Sequence, residues 1–134
     1  MERTLQWLKK RWGERLKLEY NIVPTRQFER DIKQYKKKFK NVADDVNGIV
    51  EELEKGNLIG DVIPNLEMKD NDNNVVKVRI ANSNTNSGKS NGYRLIYYAE
   101  KSDGTIYLLT MYYKKEKANI TNKEIQELIL KYCL

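Results

Sequence analysis

The chain has 134 residues, which suits one compact domain with its own core rather than two independent ones. Lys and Arg outnumber Asp and Glu by 25 to 19, for a formal net charge of +6 and a sequence pI near 9.3; this balance favours a polyanionic partner, nucleic acid first and a membrane surface second. Histidine is absent and the single cysteine is Cys133, so zinc sites, Ser-His or Cys-His nucleophile systems and a disulfide framework are close to excluded.

No apolar run approaches the roughly 18 residues that span a bilayer, and no secretory signal pattern is present. The chain is therefore expected to be cytoplasmic, with no membrane partner. Leu5, Leu8, Trp12 and Leu16 recur at near-helical spacing among basic residues, which predicts an N-terminal helical extension over 1–15 ahead of a domain at 16–134. Leu16, Leu18, Tyr20 and Ile22 alternate with polar residues as in a strand, stopped by Pro24. Thr25 can cap a following helix, in which Phe28, Ile32, Tyr35 and Phe39 line one face. Arg26, Arg30, Lys33, Lys36, Lys37 and Lys38 populate the remainder. A second helix is marked by Val42, Val46, Ile49, Val50 and Leu53, with Asp44 and Asp45 near its N-terminus and Gly56 after its end. The two predict a helical hairpin.

The run KDNDNN places Asp70, Asp72 and Asn74 at alternating positions, but Val75 stands where a calcium loop needs glycine and Ala81 where it needs glutamate. An ordinary polar turn and no metal are expected. Beyond it the period becomes two: Val76, Val78 and Ile80 share one strand face, Lys77 and Arg79 the other. Gly88-Lys89-Ser90 has the ending of a phosphate loop, yet Ser83 occupies the position of its first glycine. The β-favouring YRLIYYA also follows in place of a helix. The segment therefore reads as a polar connection between strands, with Lys89 solvated. SDGT, Ser102 to Thr105, turns the chain into IYLLTMYYK, a third consecutive strand. Thr121 and Glu124 form a capping box ahead of Ile125, Leu128, Ile129 and Tyr132, which predicts a short terminal helix.

Taken in order, YNIVPTRQFERDIKQYKKKF, VVKVRIANS, GKSNGYRLIYY, GTIYLLTMYYKKEKANIT and KEIQELI resemble the RelE/ParE toxin superfamily of bacterial toxin–antitoxin modules. The resemblance leans to its HigB-like, phage-associated branch and covers roughly residues 16–129. It implies an α+β fold: a small single domain with a mostly antiparallel sheet packed on a helical hairpin, RelE-like, with a short C-terminal helix. It further implies the toxin of a type II module, a ribosome-dependent mRNA endonuclease that needs no cofactor, with mRNA on the ribosome and a cognate antitoxin as partners. ParE members share the fold but poison DNA gyrase. A gyrase inhibitor and a catalytically inactive RNA- or ribosome-binding module are thus the alternatives.

RNA cleavage without metal can use the substrate's own 2′-hydroxyl, leaving the protein to orient the phosphodiester and stabilise charge on its oxygens. Guanidinium and ammonium groups suit that work. The residues that match the family's cationic positions are Lys77 and Arg79, then Arg94, then Lys114 or Lys115, with Tyr112 available to stack on a base or assist proton transfer. Lys89, Lys115, Arg30, Lys36, Lys37 and Lys38 are candidate RNA-phosphate contacts. RelE carries a tyrosine beyond its last catalytic basic residue, whereas KANITNKE has none, and some HigB-like members use a histidine that this chain lacks. Acid–base roles would then fall to Lys, Tyr or a carboxylate such as Glu116. Each candidate also has a plain alternative: a solvated strand face for Lys77 and Arg79, an ion pair with a helix carboxylate for Arg94, and packing for Tyr97, Tyr98 and Tyr107.

Overall fold

The computed structural model describes residues 19–64, 66, 73–86 and 88–133. The expected helix over 1–15 and the acidic part of KDNDNN lie outside them. Strand β1 (Asn21–Pro24) leads into helix α1 (Arg26–Lys36). Thr25 caps it in extended conformation, its hydroxyl accepting from the Phe28 amide at 3.2 Å. Helix α2 (Val42–Glu54) follows and is closed by Gly56, whose φ of 91° a side chain would oppose. Then come β2 (Asp61–Val62), β3 (Asn74–Ile80), a 3₁₀ turn at Lys89–Asn91, β4 (Tyr93–Glu100), β5 (Thr105–Tyr113) and helix α3 (Asn122–Tyr132). The Thr121–Glu124 capping box expected for α3 is present in both directions.

The domain is α+β; among the described residues it has three helices and one five-stranded mixed sheet of order β1-β5-β4-β3-β2. β1 runs parallel to β5, and the other neighbouring pairs are antiparallel. β2 is absent from the sequence reading because two residues carry no period; pairing of Asp61 with Lys77 and Val62 with Val76 defines it.

Both faces of the sheet are covered. On one, Phe28, Val42, Val46 and Leu53 of the helical hairpin pack against Val76, Val78, Ile80, Leu95 and Tyr97. On the other, Ile125 and Ile129 of α3, with Ile120, meet Val75, Ile96, Tyr98, Leu109 and Tyr112. Full burial of a side chain such as Ile125 contributes about 1.5–3 kcal/mol, enough for three or four such contacts to fix α3. Central strand β4 is buried at every position from Tyr93 to Ala99, which accounts for its apolar and aromatic character at every one of these positions but Arg94. Tyr97 is a packing residue whose hydroxyl donates to the Ile59 carbonyl at 2.7 Å. Tyr98 and Tyr107 stack on each other at 6.1 Å.

Two details position the candidate site. In the β4–β5 ladder Ile96 pairs with Thr110 but Tyr97 pairs with Leu108, so β5 holds one extra residue, Leu109. At the start of β4, a Cβ on Gly92 would lie 2.1 Å from the Ile80 carbonyl oxygen, so only glycine lets β3 and β4 close there.

Candidate functional site

Lys77 and Arg79 share the α3 face of β3, as the period-two pattern predicts. Lys77 is half-buried and Arg79 exposed. In register, Arg79 stands opposite Arg94, and Arg94 opposite Tyr112. The three form one row across β3, β4 and β5. Lys77 lies two residues from it, opposite Ile96.

Arg94 is only 6% exposed. Its guanidinium donates to the carbonyls of Lys89 (2.9 Å), Tyr93 (3.2 Å) and Ser90 (2.9 Å), tying the 3₁₀ turn back onto β4. Burial, then the neighbouring charge of Arg79, lowers its pKa, although a guanidinium remains charged at neutral pH. An ion pair with a helix carboxylate is the plain alternative for this residue; among the described residues its partners are backbone carbonyls instead. Side-chain patterning cannot announce carbonyl acceptors.

Tyr112 is buried under α3, and that burial raises its phenol pKa; Arg94 pulls the other way and Glu124 adds to the rise. The phenol is thus neutral and a proton donor at physiological pH. Lys117 holds its ammonium 6.0 Å from the Tyr112 ring centroid and 2.9 Å from Glu124 Oε2. Hydrogen bonds from Thr121 and then Lys117 lower the Glu124 pKa. The sequence offers no signal for Lys117, and Glu124 stands out there only as a cap.

The remaining candidates are dispersed. Lys114 lies just past the end of β5 and donates through Nζ to the Ala118 carbonyl at 3.1 Å. Lys115 is exposed in the same connection, and Lys89 is exposed in the 3₁₀ turn. Arg30 and Lys36 project from α1, with Lys37 and Lys38 just beyond it, on the hairpin side of the sheet and so across it from the Arg79–Arg94–Tyr112 row. Lys38 forms an exposed ion pair with Glu116, which raises the Lys38 pKa and occupies the carboxylate considered for acid–base work. Arg30 reaches Tyr132 Oη of α3 at 3.3 Å.

A depression of about 340 Å³ opens at the β1 edge, lined by Val23, Thr25, Arg26, Glu29, Tyr107 and Tyr132. None of the candidate residues lines it. Among the described residues no group of three or more His, Cys, Asp or Glu is placed to hold a metal ion, and no helix is long and apolar enough to cross a membrane. The chain matches no protein-family model and no curated protein.

Proposed function

We propose that the chain is a metal-independent endoribonuclease, the toxin of a toxin–antitoxin pair, acting on mRNA at the ribosome. The observation that supports this reading is the cross-strand row of Arg79, Arg94 and Tyr112, with Lys77 beside it. Two guanidiniums on one face suit a phosphodiester, and the protonated phenol at the end of the row suits a leaving alkoxide. In this mechanism Arg79 grips the scissile phosphate through its exposed fork, and Lys77 adds a second cation as charge builds on the oxygens. The 2′-oxygen forms its bond to phosphorus and gives its proton to solvent or a neighbouring base. The bond to the 5′-oxygen breaks, and that oxygen takes a proton from Tyr112, which requires α3 to shift from over the buried phenol. The products are a 2′,3′-cyclic phosphate and a 5′-hydroxyl. Arg94 contributes charge from beneath, while three of its five N–H groups are taken by backbone carbonyls, two in the 3₁₀ turn and one at the start of β4.

That commitment of Arg94, together with the Lys114 bond to Ala118, favours a second reading, an RNA- or ribosome-binding module that does not cut. Induced expression followed by mapping of mRNA 5′ ends separates the possibilities. In-frame cuts within translated codons, with 5′-hydroxyl ends, are expected. Intact mRNA with stalled translation would favour the binding module, and intact mRNA with broken DNA a gyrase poison.

A further inference from the structure

Tyr112 faces Arg94 only because β5 changes phase. Before the extra residue Leu109, the even positions Ile106 and Leu108 face the helical hairpin, and the odd positions Tyr107 and Leu109 face α3. After it the assignment reverses: Met111 and Tyr113 join the hairpin core, and Tyr112 joins the α3 face. A strand keeping strict alternation would send Tyr112 into the hairpin core with Ile106 and Leu108, leaving no phenol in the row.

A bulge leaves backbone polar groups without ladder partners, and buried groups of that kind must be satisfied elsewhere. This bulge also falls where β1 ends and the outer edge of β5 loses its strand partner, and helix α1 with its cap supplies partners along that edge on both sides of it. The Thr25 hydroxyl lies 2.8 Å from the Leu108 carbonyl and 3.0 Å from that of Leu109, and the Thr25 amide donates to Leu108 at 3.1 Å. Beyond the extra residue, Asp31 Oδ2 accepts from the Met111 amide at 3.0 Å and from the Thr110 hydroxyl at 2.5 Å. Its other oxygen accepts from Gln27 Nε2 at 2.9 Å, which fixes the carboxylate along the helix. Asp31 is half-buried and turned toward the sheet, away from the cations spread over the rest of α1.

We propose that Asp31 is a positioning residue: by holding the bulge at Leu109–Met111 it sets which face Tyr112 occupies and so completes the cationic row. The importance of this for RNA cleavage rests on the function proposed above; the positioning itself does not.

The test reads Tyr112 directly and needs no RNA. In the wild-type protein, nuclear Overhauser contacts are expected from the Tyr112 ring to Lys117 and Ile125, and from the Tyr113 ring to Phe39. Asp31→Ala should lose the Tyr112 contacts and speed exchange of the Met111 amide at least about tenfold. Asp31→Asn keeps an oxygen for Thr110 and Met111 and should retain both properties. A folded Asp31→Ala protein with wild-type Tyr112 contacts and Met111 exchange overturns the proposal. Should Asp31→Ala not fold, Thr110→Val removes only the hydroxyl donor; faster Met111 exchange and weakened Tyr112 contacts then support the inference, and wild-type values overturn it. A wild-type protein that shows these contacts yet cleaves no RNA refutes the endonuclease reading and leaves the positioning role standing.

Discussion

Arg79 and Arg94 stand directly opposite each other in the β3–β4 ladder, two cations on one face of the sheet. Like charges in that position oppose pairing, and the chain resolves the conflict asymmetrically. Arg94 is buried and surrounded by carbonyl dipoles, and Arg79 is left to water. On the proposed function, a phosphate beside the exposed Arg79 fork would offset the repulsion between the two guanidiniums.

That asymmetry gives opposite signs for stability and function at Arg79. Arg79→Glu replaces repulsion with attraction and should raise stability by about 0.2–1 kcal/mol, read as a higher urea midpoint at unchanged slope. On the proposed function it should also cut RNA cleavage on the order of 10²-fold or more, because the exposed fork is gone and a carboxylate repels phosphate. A less stable Arg79→Glu protein would mean that the two guanidiniums do not oppose each other in solution.

Gly92→Ala is expected to be among the most damaging single-methyl changes in the domain. Its Cβ would meet the Ile80 carbonyl at 2.1 Å and also press on the Asn82 amide and Ala81, all backbone atoms that cannot rotate away. Separating β3 from β4 there should cost several kcal/mol and disturb the Arg79–Arg94 register. Thermal unfolding checks the first effect. Gly88→Ala is the control, because open space surrounds that Cβ and only its φ of 76° resists the change.

The α3 cap carries a defined pH dependence. Glu124 has its pKa held below the ordinary 4.5, first by hydrogen bonds from Thr121 and Lys117. For a depressed carboxylate, the stabilisation is present above the unfolded-state value and is lost as pH falls through the folded-state value. Wild type should therefore exceed Glu124→Gln in stability at neutral pH, with the gap closing as pH falls below the ordinary carboxylate value and through the lowered folded-state one. The group is near the surface, so the gap is small and should shrink in high salt. A gap independent of pH would assign the cap to hydrogen-bond geometry alone.

How much of this was legible in the sequence follows from the range of each interaction. The hairpin was legible because Phe28, Ile32, Tyr35 and Phe39 repeat at helical spacing over several turns, and α3 because Thr121 and Glu124 are three residues apart. β3, β4 and β5 were legible from alternation and from SDGT. The parallel pairing of β1 with β5, which sets Asn21 beside Thr105, was not, because no local pattern encodes a partner so far along the chain. The bulge was hidden for another reason. LLTMYY is apolar or aromatic at both parities, so a change of phase within it leaves no mark. Of the five residues that the family resemblance singles out, Lys77, Arg79, Arg94 and Tyr112 lie together across β3, β4 and β5, while Lys114 stands past the end of β5; Asp31, bonded to the Met111 amide, and Lys117, beside the Tyr112 ring, depend on contacts between distant elements.

Arg94 can be separated into its two roles by comparing three proteins. Arg94→Ala removes the donors to the Lys89, Ser90 and Tyr93 carbonyls and leaves one buried and two partly buried acceptors behind, so it should lose roughly 1–3 kcal/mol of stability and loosen the 3₁₀ turn, seen as faster amide exchange over 89–92. Arg94→Lys keeps the charge but cannot bridge the same three carbonyls with a planar fork, so it should recover part of the stability and little of the turn's rigidity. On the proposed function, Arg94→Ala should also lose on the order of 10² to 10³ in cleavage rate. Binding to RNA should fall much less, since Arg30, Lys36, Lys37, Lys77 and Arg79 keep their charge. The decisive measurement is cleavage by Arg94→Lys at a temperature where all three proteins are fully folded. Recovery of cleavage with the turn still loose assigns Arg94 an electrostatic part in the reaction. Cleavage that tracks the exchange rates instead makes Arg94 the clamp of the 3₁₀ turn, and moves the phosphate contact to Arg79 and Lys77.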